Sequence, residues 1–83
     1  MNGDNLKGLV EFIVQSLVDQ PTNVNITEFK RGNSVQLDLQ VAKEDMGRVI
    51  GKGGRVANSI RTLLKVAAAR EGNRVNLDIV EPH

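Results

Sequence analysis

The chain predicts an α+β domain in which a three-stranded mixed sheet carries three helices on one face. Three observations predict it. Apolar residues recur at helical spacing near the N-terminus and again in the second half of the chain. Three other segments alternate between apolar and polar residues, so each has one face to bury and one to leave in water. A cluster of glycines and cations, Gly51-Lys52-Gly53-Gly54-Arg55, divides the second helical pattern in two. With 83 residues, the chain is expected to be one domain over 1–83 with its ordered core at about 5–80. A chain this short buries only about 60% of its unfolded surface.

The elements follow in order. Leu6, Leu9, Val10, Ile13 and Leu17 share one face of a helix expected over 4–19. Asp4 or Asn2 caps its start, and Gln20-Pro21 ends it because proline cannot continue a helix. A strand over 22–30 alternates Val24 and Ile26 with Asn23, Asn25 and Thr27, and Arg31-Gly32-Asn33 signals a tight turn. Val35, Leu37, Leu39 and Val41 then alternate with Gln36, Asp38 and Gln40, which completes a hairpin. A short helix over 43–50 enters the glycine cluster. A longer one resumes at about Gly54 with Val56, Ile60, Leu63, Leu64 and Ala67 as its apolar stripe, and Gly72-Asn73 ends it. Val75, Leu77 and Ile79 alternate with Asn76 and Asp78 in the last strand, and the tail 81–83 is expected to fray. The second and third strands are joined through helices, so they are expected to lie parallel.

The glycine cluster suits an anionic partner. Glycine removes the Cβ that would hold a bulky ligand away from the backbone. The start of the following helix adds free N–H groups and a positive dipole end, and Lys52 and Arg55 add full charges. Two nucleotide-cofactor motifs fail on spacing. Gly51-Lys52 is followed by Gly53 where a Walker A loop needs a hydroxyl, and position 56 is Val where a dinucleotide fingerprint needs its third glycine. What fits is Gly-x-x-Gly between two helical stretches, the loop with which KH domains clamp about four nucleotides of single strand.

Composition narrows the function further. Net charge is +1, so bulk charge cannot coat nucleic acid. Yet 43–70 holds Lys43, Arg48, Lys52, Arg55, Arg61, Lys65 and Arg70 against Glu44 and Asp45, a local net charge of +5. Lys43, Arg61, Lys65 and Arg70 are expected on a solvated helix face that could extend an electrostatic track. There is no cysteine, hence no disulfide or thiolate metal site. No apolar run approaches a membrane span and no signal-peptide pattern opens the chain, so a cytoplasmic location is expected. Ser16, Ser34 and Ser59 have no histidine to act as base, since the sole histidine is His83 at the terminus. Asp4, Glu11 and Asp19 are too dispersed for a carboxylate pair. No enzyme activity, cofactor or metal is expected.

The element order with the glycine loop between the central helices resembles a type II KH domain, α-β-β-α-α-β, over nearly the whole chain. The run Asp45-Met46-Gly47-Arg48-Val49-Ile50-Gly51-Lys52-x-Gly54-Arg55 resembles the bacterial KhpA family of small stand-alone KH proteins. The resemblance implies that Gly51, Lys52, Gly53, Gly54 and Arg55, flanked by Arg48, hold the RNA backbone. It implies that bases lie against Val49, Ile50, Ala57, Leu37 and Leu39. Many KH domains carry a large aliphatic residue where this chain has Ala57, which implies a shallow groove with little base selectivity. Phe12 and Phe29, the only aromatic residues, lie far from the loop in sequence. Ser59, Thr62, Val66 and Ala69 line a mixed helix side expected to serve association.

The expected function is non-enzymatic binding of single-stranded RNA. The family resemblance implies an RNA chaperone or post-transcriptional regulator tied to cell-envelope homeostasis and cell length. It also implies a homodimer, or a heterodimer with a larger KhpB-like KH protein. Two alternatives stand beside it: a dimerisation module whose larger partner holds the RNA, and single-stranded DNA binding.

Overall fold

The computed structural model describes residues 6–80. The caps assigned to Asp4 or Asn2, the helix start at position 4 and the tail 81–83 lie outside them. Helix α1, Leu6–Leu17, buries Leu6, Val10 and Val14, an i, i+4, i+8 line, and Val18 follows them into the core. The buried line is therefore rotated from the expected stripe. Val14 is inside, while Leu17 is exposed, because spacing of four drifts around the helix by about 40° per step. The helix stops short of 19. Val18 N–H still reaches the Val14 carbonyl, but the N–H groups of Asp19 and Gln20 turn to the carboxylate of Asp45.

Pro21–Asn23 form a 3₁₀ turn, with Asn23 N–H donating to Gln20 and Val24 N–H to Pro21. That turn delays the first strand to β1, Asn25–Arg31. Strand β2, Ser34–Gln40, pairs antiparallel with β1 across the two-residue loop Gly32-Asn33. Gly32 has φ +60 while Asn33 does not take a positive φ, the pattern of a II′ hairpin turn. Strand β3, Arg74–Val80, pairs parallel with β2, and the sheet order is β1-β2-β3. The mixed sheet and the parallel pair match expectation.

Among the described residues there are two α-helices rather than three. The expected second and third helices form one element, α2, Met46–Arg70, interrupted by non-helical backbone at 51–54. Four consecutive residues leave the helical conformation there, so the element is two helical stretches meeting at a kink. At its C-terminus Asn73 N–H reaches the Ala68 carbonyl and Gly72 N–H the Ala69 carbonyl, with Gly72 at φ +71. This is the Schellman arrangement, which favours glycine at that position.

Helix α2 sends Ala57, Ile60, Leu64 and Ala68 into the core. They meet Val35, Leu37 and Leu39 of β2 and Leu77 of β3, with α1 completing the layer. Leu63, expected in the stripe, is 55% exposed. It lies about 100° around the helix from Leu64, on the flank rather than the buried line.

Candidate nucleic-acid interface

The turn Lys43–Asp45 feeds β2 into α2, and Asp45 fixes how the two meet. Its side chain is 1% exposed. Oδ1 accepts from Asp19 N–H at 3.1 Å and Oδ2 from Gln20 N–H at 3.0 Å. Arg48 Nε sits 3.3 Å from Asp45 Oδ1, and Arg48 Nη2 sits 2.6 Å from Asp19 Oδ2. One buried carboxylate thus takes up two backbone donors left over at the end of α1 and pairs with a guanidinium one turn into α2. Sequence reasoning missed Asp45. Its position at a helix start signals a cap, but its side chain caps nothing in α2 and serves residues 25 and 26 positions away. Arg48 was expected to flank the RNA backbone; its guanidinium is instead engaged by Asp19 and Asp45.

Three residues after Arg48 the backbone leaves the helix. Gly51 is extended (φ −44, ψ 158), and Lys52 (59, 45), Gly53 (67, 29) and Gly54 (89, 4) follow in the left-handed region. Lys52 is the only non-glycine residue with positive φ among the described residues. Such a conformation costs on the order of 1–3 kcal/mol, and residues held in it cluster at functional sites. A Cβ built on Gly51 or Gly53 meets no heavy atom within 4 Å, and one on Gly54 meets only Asn58 Nδ2 at 3.9 Å. The glycines therefore serve conformation at 53 and 54 and leave the loop backbone uncovered. Lys52, Gly53 and Arg55 are exposed. Among the described residues no ion pair or side-chain hydrogen bond engages the Lys52 ammonium or the Arg55 guanidinium. The helical stretch after Gly54 turns its positive end to the same loop.

The expected base groove is mostly core. Leu37, Leu39 and Val49 are wholly enclosed and Ala57 is buried; the two leucines take inward positions of the middle strand and join the core. They support the surface from below and offer it no area. Ile50, 43% exposed beside the loop, is the one member of that set with apolar surface to present.

The remaining cations of 43–70 also divide. Lys43, Lys65 and Arg70 are exposed. Arg61 is half-buried, its Nε donating to the Leu77 carbonyl of edge strand β3 at 3.0 Å and its Nη1 to Asn58 Oδ1 at 3.0 Å. It closes a sheet edge and does not belong to a solvated track. Of the expected association face, Ser59, Thr62, Val66 and Ala69 are all exposed. The hydroxyls of Ser59 and Thr62 turn back to the carbonyls of Arg55 and Asn58. The apolar surface lies to one side, where Leu63 and Val66 of α2 and Leu6 and Leu9 of α1 line a groove of about 350 Å³.

Known proteins share this arrangement. Residues 7–79 match the family described as KhpA/KhpB, KH domain. An RNA-binding protein KhpA from Clostridium perfringens is 48% identical over 75 residues, covering 90% of this chain and all of that protein. One from Clostridium acetobutylicum is 49% identical over the same length, with the same coverage. One from Borreliella burgdorferi is 44% identical over 73 residues, 88% of this chain and 89% of that protein. No helix among the described residues is long and apolar enough to cross a membrane, and no group of three or more His, Cys, Asp or Glu side chains there could hold a metal ion. With a glycine loop breaking α2 beside a mixed three-stranded sheet, and with relatives matched nearly end to end, the chain belongs to the KhpA/KhpB KH-domain family.

Proposed function

We propose that this chain binds the backbone of single-stranded RNA at residues 51–55, without catalysis. The observation that carries the proposal is the run of left-handed backbone at Lys52, Gly53 and Gly54, uncovered and flanked by two cations with no partner among the described residues. Lys52 and Arg55 supply charge to successive phosphates, and the uncovered backbone between them lets the strand approach closely. Ile50 offers the first base an apolar contact. With no aromatic side chain beside the loop, stacking adds little there, so binding is weak and tolerant of sequence. The relatives named as RNA-binding proteins support RNA as the ligand. A role as RNA chaperone or post-transcriptional regulator, linked to cell-envelope homeostasis and cell length, follows from the family resemblance and suits a small, weakly selective binder.

The test is fluorescence-anisotropy titration with mixed-sequence single-stranded RNA at low and physiological salt, beside the Gly53→Asp/Gly54→Asp variant. Asp tolerates the left-handed region better than most residues, and the space around Gly53 is open, so the variant is expected to fold. Binding that weakens with salt and vanishes in the folded variant is the expected result. Unchanged affinity in that variant would sink the clamp. A matched DNA oligomer that binds equally well would widen the ligand to single-stranded DNA.

The groove between α1 and α2 favours a second role beside the first. Leu63 and Val66 are each more than half exposed, and they suit a second copy of the chain or a larger KhpB-like partner. Joining two weak clamps raises avidity without new kinds of contact.

A further inference from the structure

We propose that the solvent face of the sheet, at its hairpin end, is a second contact for single-stranded RNA, with one base stacked on Phe29 and phosphates against Arg31 and Arg74. The proposal takes its ligand class from the RNA-binding function above but does not depend on the loop at 51–55.

Strand register builds the site. Arg31 pairs with Ser34, and Ser34 with Arg74, so the two arginines flank one serine in a single row across the three strands. Neighbouring strands lie about 4.8 Å apart, which sets their Cα atoms roughly 10 Å from each other. The next row on the same face is Phe29, Gln36 and Asn76, about 6.6 Å along the strands. Phe29 is 55% exposed. No ion pair or hydrogen bond engages either guanidinium among the described residues. A concavity of about 450 Å³ runs through these residues, and no carboxylate among the described residues lines it. The face's acidic residues, Asp38 and Asp78, stand one row farther on, and Gln36 Nε2 donates to both at 2.9 and 3.0 Å. Asn76 Nδ2 donates in turn to Gln36 Oε1 at 2.8 Å. That network ties both carboxylates to Gln36, in the row next to the arginines.

A single exposed phenylalanine is ordinary on a protein surface. What distinguishes this one is its place in a concavity beside two arginines that are unpaired among the described residues. Base–aromatic stacking needs only the ring face, and arginine at its flank positions phosphate without reading sequence. The surface is remote from the loop. The helical stretch 55–70 separates them, roughly 24 Å at about 1.5 Å per residue, so a strand filling only the loop does not reach Phe29. A longer strand meets both, and the second contact acts through effective concentration.

The experiment titrates oligouridines of roughly 5 and roughly 15 nucleotides into the wild-type chain, Phe29→Ala, Arg31→Gln/Arg74→Gln and Gly53→Asp/Gly54→Asp, with amide chemical-shift mapping in each. Phe29→Ala is expected to weaken the longer oligomer about fivefold or more, as loss of one base stack does, and to leave the shorter one little changed. The double arginine variant is expected to lower the salt slope for the longer oligomer by about 1.4, two phosphate contacts on a single strand. In the glycine variant, shifts at Phe29, Arg31 and Arg74 are expected to persist. Shifts confined to 50–55, with full affinity in Phe29→Ala, would overturn this second contact and leave the loop clamp standing. Shifts confined to the sheet face would overturn the clamp instead, and no shifts with either oligomer would overturn both. Loss of self-association in Phe29→Ala, with RNA affinity intact, would assign the face to a protein partner and end the proposal.

Discussion

Arg48 and Arg55 sit two turns apart in the same helical element, yet they belong to different kinds of site. Arg48 is drawn down by Asp45 and Asp19, and through them it joins α1 to the start of α2. Arg55, with Lys52, stands across a left-handed break where no acidic group reaches it among the described residues. In sequence the two arginines look alike, each next to a glycine in one basic run. Which cation braces the fold and which stays without an acidic partner is set by the nearest carboxylate. The contrast extends to the glycines. Gly53 and Gly54 hold positive φ, whereas Gly51 takes a backbone conformation open to any residue.

Substitutions on the two sides of the break should separate stability from binding. The largest effect on stability is expected at Asp45. Asp45→Ala removes a buried acceptor, strands two backbone donors and leaves Arg48 with one partner, which should lower stability by about 3 kcal/mol in chemical denaturation. RNA affinity measured well below its melting temperature should be unchanged. If affinity fell in parallel with stability, the division between brace and ligand site would be lost.

Across the break the order reverses. Gly53→Asp/Gly54→Asp should remove tenfold or more of RNA affinity, about 1.4 kcal/mol or above, and it also lowers the denaturation midpoint, because both positions hold positive φ. Lys52→Gln/Arg55→Gln keeps the backbone and removes two charges. It should weaken binding several-fold and reduce the salt slope by about 1.4. An unchanged slope would mean that the cations stay hydrated in the complex. The smallest effect is expected at Arg48→Gln. Its guanidinium is about half exposed, so solvent screens the pair and the loss should be about 1 kcal/mol or less, with no change in salt slope. A drop in slope there would move Arg48 to the ligand's side.

The groove between α1 and α2 offers an independent contrast. Leu63→Lys should leave thermal stability near the wild-type value because that side chain is already outside. Sedimentation should then show whether self-association depends on the groove. Leu64→Ala, one residue on, empties a core position and should lower stability by about 2–5 kcal/mol.

Much was legible in the sequence. Element order, the two-faced strands, the hairpin at Gly32, the parallel pairing of β2 with β3, the helix end at Gly72 and the glycine break all follow from local signals: a period of two or 3.6 residues, turn chemistry, and a crossover through helix. Tertiary structure alone decided the rest. It placed Val14 inside and Leu63 and Leu17 outside, because a rotation of one helical position changes which residue meets the sheet. It made Leu37, Leu39 and Val49 core rather than groove, because β2 is the middle strand and its inward side chains join the buried cluster with Val49. It tied Asp45 to Asp19 and Gln20, and Arg61 to Leu77. It also brought Phe29, Arg31 and Arg74 onto one end of one face. Periodicity tells which side of an element is apolar. Which charges find partners, and which residues far apart in the chain become neighbours, depends on the register between elements that only the packed fold sets.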